Sequence, residues 1–382
     1  MSVTLPIYLD YNATTPVAPE GADAMLPYLR EHFGNPSSLH AYGRIASQAV
    51  AAARAQVAAL IGARSEEIVF TACATEANNL ALLGVARAVS HSKRHLVISA
   101  IEHPAVMAPV KHLQEEGWDL TVVQVDRFGH VSPDDIARAL RADTALVSVM
   151  HANNEIGTVQ PIEEIARITR RSGVLLHTDA AQSAGKIAVD VDALGVDLLS
   201  LAGHKFYAPK GVGALYVRAN TPVLSIAFGA DHERGLRPGT ENVPAIVGFG
   251  IAARLARERL PDATKHLRRM RDQLEAHLFE AIPGLILNGH PDERLPNTLH
   301  VSFPQTSGRE LLDHASHTVA ASVGSACHSE HDTVSGVLAA MGVDAVRAAG
   351  AVRLSVGMMT TTDEVTRAAN GLIEAWRAVA SR

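Results

Sequence analysis

Two cysteines, Cys73 and Cys327, are all that the 382 residues contain. They stand far apart, so no disulfide framework is expected, and a reducing compartment is the simpler reading. Aromatic residues make up only 4% of the chain, whereas 47% is apolar. The core must therefore be filled by aliphatic side chains and alanine, a composition that suits helices packed closely on a sheet. No uninterrupted apolar run reaches the length of a membrane-spanning helix. Residues 1–6 lack a basic stretch followed by an apolar one, so no secretory leader is expected. The formal net charge of −6 gives no basic footprint and argues against direct nucleic-acid binding. A cytoplasmic protein of one large or two smaller domains is left.

What is present is an alternation of short apolar runs and longer amphipathic ones. Residues 95–100, 145–150, 173–178, 197–201 and 213–217 read as buried strands. Helical patterns cover 38–60, 76–89, 104–116 and 161–172. Runs that are apolar on both sides, alternating with helices, predict an α/β fold with a mainly parallel sheet. From about Pro261 the texture changes. A charged helix is expected over 262–282, then strands near 298–303 and 351–356 and a last helix from Thr362, as in a second, smaller α+β domain.

Five polar clusters follow predicted strands. Lys205 comes directly after one, ahead of a turn rich in Gly and Pro. A lysine held and partly desolvated there is a Schiff-base candidate, although an ordinary turn lysine fits the same pattern. Asp179 ends an apolar strand, where it could pair with a protonated pyridine nitrogen or cap a helix. The stretch 70–79 passes from strand to helix through small residues, and its N–H groups with Thr75 could hold a phosphate. His103 follows the strand at 95–100, and the Asn-rich stretch 151–157 follows the strand at 145–150. Each could equally belong to a plain loop or turn. Together they occupy the C-terminal ends of predicted parallel strands, where open α/β sheets bind ligands. Cys327 lies among small residues in Gly324-Ser325-Ala326-Cys327-His328, a setting that presents a thiol as readily as it buries one.

The chain resembles the cysteine desulfurases, pyridoxal-phosphate enzymes of the aminotransferase-like fold (fold type I). The resemblance runs almost end to end. It rests on Tyr8-Leu9-Asp10-Tyr11-Asn12-Ala13-Thr14-Thr15-Pro16, Gly34-Asn35-Pro36, Glu102-His103-Pro104, Asn153-Asn154-Glu155-Ile156-Gly157, His177-Thr178-Asp179-Ala180-Ala181-Gln182, Gly203-His204-Lys205, residues 234–242 and Gly324-Ser325-Ala326-Cys327. It implies a large cofactor-binding domain over 16–260 with a seven-stranded sheet. It also implies a small domain made of 1–15 and 261–382 that carries the cysteine loop.

The resemblance also implies roles. Lys205 would hold pyridoxal 5'-phosphate and move the substrate's Cα proton. Asp179 would pair with the ring nitrogen, Gln182 with the ring oxygen, and His103 would stack on the ring and assist proton transfer. Ala74, Thr75 and His204 would bind the phosphate, with Thr240 reaching it from the other subunit of a homodimer. Asn154, Arg353 and Asn35 would bind the carboxylate of L-cysteine. Cys327 would take the sulfur as a persulfide, its thiolate favoured by His103 or His328, and pass it to a protein acceptor. DNA phosphorothioation is the pathway the match suggests first, with iron–sulfur assembly and tRNA thiolation open.

The chain departs from the family pattern at several positions. Cys73 stands where glycine is usual and Ala202 where serine is usual. Residues 228–234 replace a glycine-rich stretch, and Met358 stands where a second arginine is common. The alternatives are a selenocysteine lyase or another lyase or aminotransferase of this fold, or a non-catalytic scaffold for sulfur-pathway partners.

Overall fold

The structure is a computed structural model that describes residues 5–89, 92–323 and 335–381. Its strands, in chain order, are β1 (Ile7–Tyr8), β2 (Ile68–Thr71), β3 (His95–Ser99), β4 (Asp119–Val123), β5 (Thr144–Ser148), β6 (Leu175–Asp179), β7 (Leu198–Ala202), β8 (Gly213–Val217), β9 (Ile286–Leu287), β10 (Thr298–Ser302), β11 (Val319–Ala320) and β12 (Ala351–Ser355). Seven of them form one sheet in the order β2-β8-β7-β6-β5-β3-β4. Only β8 runs against its neighbours; the other pairings are parallel. Strands β2, β3, β5, β7 and β8 are buried at every position, which is why they read as continuous apolar runs. Strand β4 lies at the sheet edge and is mostly half-exposed. Its sequence carries no such run, and the sequence pattern missed it.

Successive residues of one strand face opposite sides of a sheet, and the core divides accordingly. Val97, Val147, Leu199 and Tyr216 join one cluster with helix Ala41–Leu60 and the start of helix Val243–Ala281. Leu96, Leu146, Leu198 and Leu215 join another with helices Ala74–Ala88 and Pro104–Glu115. A separate core gathers Ile7, Leu9, Met270, Leu274, Val301, Leu354 and Leu372. It packs on the antiparallel sheet β12-β10-β9, beside the parallel pair β1 and β11.

The helix expected over 262–282 is instead one helix of 39 residues, Val243–Ala281, with Pro261 inside it. A proline normally interrupts a helix because it frees the carbonyl four residues earlier, here that of Arg257. Arg257 and Pro261 both lie on exposed positions, so water can take that carbonyl. Beyond the proline, Ala263, Leu267, Met270, Leu274 and Leu278 are buried at helical spacing. This buried stripe carries the helix through.

Candidate active site

The C-terminal ends of β2, β3, β5, β6 and β7 lie on one edge of the large sheet. A cavity of about 310 Å³ opens there, within the size range of small-molecule sites. It is lined by Cys73, Ala74, Thr75, Glu102, His103, Asn154, Asp179, Gln182, Ala202, His204, Lys205 and Arg353, among others. Nine of the expected site residues thus come from five strand ends and from β12. The expected cofactor and substrate contacts Ala74, Thr75, His103, Asn154, Asp179, Gln182, His204, Lys205 and Arg353 all meet in this one space.

Asp179, the last residue of β6, is buried. Its Oδ2 accepts from Asn78 Nδ2 at 2.7 Å and its Oδ1 from the Ala181 N–H at 2.9 Å. Lys205 follows β7. Its Nζ donates to the carbonyls of Asn12 at 2.6 Å and Ala13 at 2.8 Å. His103 caps helix Pro104–Glu115, its Nδ1 accepting from the Ala105 N–H at 3.1 Å. A ring that accepts at Nδ1 carries its proton on Nε2 when neutral. Burial lowers the His103 pKa and the Lys205 charge lowers it further, while Asp179 pulls the other way. His204 donates or accepts at Nδ1 with the Thr14 hydroxyl at 3.1 Å. Burial and then the charges of Lys205, Lys210 and Lys186 bring its pKa down to about 4.

Helix Ala74–Ala88 begins at the cavity. Its N-cap, Cys73, offers no side-chain hydrogen bond, so N–H groups of the first turn are available to an anion. The backbone there presses on the start of β8. A Cβ at Gly213 would come within 2.7 Å of the Cys73 carbonyl carbon and 3.0 Å of the Ala74 nitrogen. Arg353, on β12, donates to Asp10 Oδ1 at 2.7 Å and to the Asn154 carbonyl at 3.0 Å. Its buried Nε has no hydrogen-bond partner among the described residues.

Two expected residues stand elsewhere. Asn35 is exposed, its Oδ1 accepting from the Ser37 N–H, and it does not line the cavity. The Asx-type turn uses its side chain locally. Thr240 is also exposed and outside the cavity of this chain. Cys327 and His328 lie outside the described residues. The residues flanking that stretch do stand beside the cavity: Ser322 bridges to Arg353, and the Ser335 hydroxyl donates to Glu155, which lines it.

Sequence reading missed four residues. Asn12 is a hub: its carbonyl accepts from Lys205 and Gln182 Nε2, and its side chain reaches Asn154, Thr298, Asn297 and Lys186. Asn78 holds Asp179. Its signal was a buried polar residue four positions after Ala74, on the inner helix face. Glu102 is buried, with Oε1 accepting from Ser99 Oγ at 2.5 Å and from the Met150 N–H at 2.9 Å, and Oε2 unpartnered among the described residues. Burial raises its pKa to about 8 against these two hydrogen bonds. Lys186, four residues after Gln182, is the fourth.

The class-V aminotransferase family model matches residues 7–368. A cysteine desulfurase IscS of Dictyoglomus turgidum is 45% identical over 360 residues, covering 94% of this chain and 91% of that protein. A solved NifS-like protein superposes with a TM-score of 0.91 at 38% identity, covering 97% of this chain and 99% of the other. Another solved structure, SspA in complex with cysteine, gives a TM-score of 0.83 at 37% identity, covering 93% and 99%. Enzymes of this family depend on pyridoxal phosphate. The donor set here suits that cofactor: a free helix N-terminus for phosphate, a buried ionisable acid and a lysine around one cavity. The chain belongs to the class-V aminotransferase family, and within it to the cysteine desulfurases.

Proposed function

We propose that the protein removes sulfur from L-cysteine at this cavity and carries it as a persulfide on Cys327. The observation that supports this most is the meeting of Lys205, Asp179 and His103 around a single cavity at the strand ends. In this reading Ala74, Thr75 and His204 hold the phosphate of pyridoxal 5'-phosphate, with Thr240 contributed by the partner subunit of a homodimer. Asp179 faces the ring nitrogen and Gln182 the ring oxygen. When bound, the cofactor supplies an electron sink for the charge left at the substrate Cα.

The chain's own groups do the rest. Lys205 leaves the Asn12 and Ala13 carbonyls to hold the cofactor, and then moves the proton at Cα. His103, kept neutral by burial, offers a flat uncharged ring to stack on. Arg353 and Asn154 bind the substrate carboxylate, and Asn35, which stands outside the cavity, joins them only if its turn moves in. The guanidinium is already oriented by Asp10, so little ordering is left for binding. The Cys327 thiolate then takes the sulfur. The substrate C–S bond breaks, an S–S bond forms on Cys327, and L-alanine leaves with the proton the thiol gave up. Two stretches of protein beside the cavity, at Ser322 and Ser335, support the placing of this thiol within reach.

The acceptor in this proposal is a protein that meets the persulfide, and the pathway is DNA phosphorothioation. We also assign the two cores to a large domain over 16–260 and a small one of 1–15 and 261–382. Among the described residues no helix is long and apolar enough to cross a membrane. Replacing Cys327 with serine tests the proposal. Sulfide release from L-cysteine is expected to be lost while cofactor colour and cofactor affinity stay as in the parent. Full sulfide release from that variant overturns it. Mass-spectrometric trapping of the persulfide partner from cell extract tests the pathway.

A further inference from the structure

Lys186 is a lysine with almost no access to water, 5% exposed. Its Nζ donates to Gln182 Oε1 at 2.9 Å and to Asn12 Oδ1 at 3.5 Å. Neither partner is a carboxylate, so the contact does not serve to pair charge. Burial lowers the Lys186 pKa well below the ordinary range, and the nearby charges of Lys205 and Arg353 lower it further. Keeping a lysine in such a place is costly unless its donors are needed.

What the donors do follows from the chemistry of amides. A primary amide has one oxygen that accepts and one NH₂ that donates. An amine that donates to Gln182 Oε1 therefore turns the Gln182 NH₂ the other way. One of its hydrogens goes to the Asn12 carbonyl at 2.9 Å. The other remains for the cavity, which Gln182 lines. The same holds at Asn12. With Oδ1 taken by Lys186 and by Asn297 Nδ2 at 2.9 Å, its Nδ2 points to the Asn154 carbonyl and Thr298 Oγ1. The carbonyl of Asn12 in turn receives both Gln182 and Lys205. A single buried amine thus sets the direction of a hydrogen-bond chain that ends at the lysine of the site.

We propose that Lys186 is a positioning residue that fixes Gln182 as a hydrogen-bond donor to the cavity, and so selects a ligand oxygen bearing negative charge at that point. The inference rests on the assignment of Gln182 to the cofactor. It assigns Lys186 no contact with cofactor or substrate.

A double-mutant cycle on the full chain tests it. The apoprotein is titrated with pyridoxal phosphate, and the absorbance maximum of the complex and the melting temperature of the apoprotein are recorded. Lys186→Met is expected to weaken cofactor binding roughly tenfold, the scale of one lost hydrogen bond, and to shift the absorbance maximum. In a Gln182→Ala background the same change is expected to alter affinity less than about twofold. Lys186→Gln, which retains N–H donors, is expected to restore most of the affinity. An equal loss from Lys186→Met in both backgrounds overturns the inference, as does a wild-type spectrum and affinity in that variant. If Gln182→Ala alone leaves affinity and spectrum unchanged, the assignment of Gln182 to the cofactor fails, and the role of Lys186 with it.

Gln182→Glu gives a second test that leaves Lys186 in place and does not depend on the folding of Lys186→Met. The carboxylate still accepts from Lys186 Nζ but offers no donor to the cavity or to the Asn12 carbonyl. Cofactor affinity is expected to fall roughly tenfold in an apoprotein that circular dichroism shows to be folded. An unchanged affinity overturns the inference.

Discussion

The acids and the bases at the site are each held in two different ways. The acids are Asp179 and Glu102, both lining the cavity. Asp179 is met by N–H donors on both oxygens, from Asn78 and Ala181. Glu102 has both its hydrogen bonds on one oxygen and nothing described on the other, the surroundings of a neutral acid. The bases are Arg353, which lines the cavity, and Lys186, which stands behind Gln182. Arg353 keeps a carboxylate partner, Asp10, whereas Lys186 has only amide oxygens among the described residues. Each pair thus contains one group whose charge is supported and one whose neighbours support orientation instead. Partner chemistry, more than residue type, separates a group that supplies charge from one that supplies geometry.

The sharpest break in this comparison comes from Asp179→Asn. Removing the supported charge is expected to lower kcat/KM by roughly 10²–10³-fold, with the apoprotein still folded by circular dichroism. If activity is retained, the division between charge-supplying and orienting acids fails. On the basic side, Arg353→Met removes one member of a buried pair and leaves Asp10 uncompensated. It is expected to cost about 3 kcal/mol, at the lower end for buried pairs because Asp10 is partly exposed. Denaturant unfolding of the apoprotein reads this directly.

Glu102→Gln sharpens the comparison through pH. An acid with a pKa of about 8 in the folded chain and about 4.5 unfolded keeps its proton in the folded state after the unfolded state has lost it. Its contribution to stability is full below about pH 4.5 and declines as pH rises towards about 8. The neutral amide has no such decline. The stability difference between parent and variant is therefore expected to shift in the variant's favour by a few kcal/mol between pH 5 and pH 8. Parallel unfolding curves across that range would mean that Glu102 is ionised in the folded chain. The smallest effect is expected at the end of β7. Ala202→Ser adds a hydroxyl to the cavity wall and is expected to tighten cofactor binding by about 1 kcal/mol. Titration of the apoprotein measures it, and unchanged affinity would mean that a hydroxyl at position 202 does not reach the cofactor.

Much of this was legible in the sequence because it is written in local patterns. Strands buried on both faces, such as 95–99 and 213–217, announce themselves as apolar runs, and the clusters behind them follow from parallel topology. Strand β4 escaped because it lies at the sheet edge, mostly open to solvent, and carries no continuous apolar run. The long helix was cut short because Pro261 signals a break that surface exposure cancels. Asn12, Asn78, Glu102 and Lys186 escaped for another reason. Their significance lies in partners 101 residues away for Asn78 and 193 for the carbonyl of Asn12. A polar residue in a helix or turn looks the same in sequence whether its partner is water or a buried carboxylate. Resemblance supplied roles for the residues that would touch the cofactor, and none for those that hold them.

The helix Val243–Ala281 has a further consequence. At 39 residues and about 1.5 Å per residue it is roughly 58 Å long. Its first half is sealed into the core beside the large sheet, through Ile246, Phe249 and Ala253. Its second half enters the other core through Leu267, Met270, Leu274 and Leu278. Neither core is complete without its share of this one rod. Severing the chain at Pro261 would leave each fragment with an unfilled trough. The polypeptide should therefore melt as one cooperative unit, even though its apolar interior is divided among separate clusters.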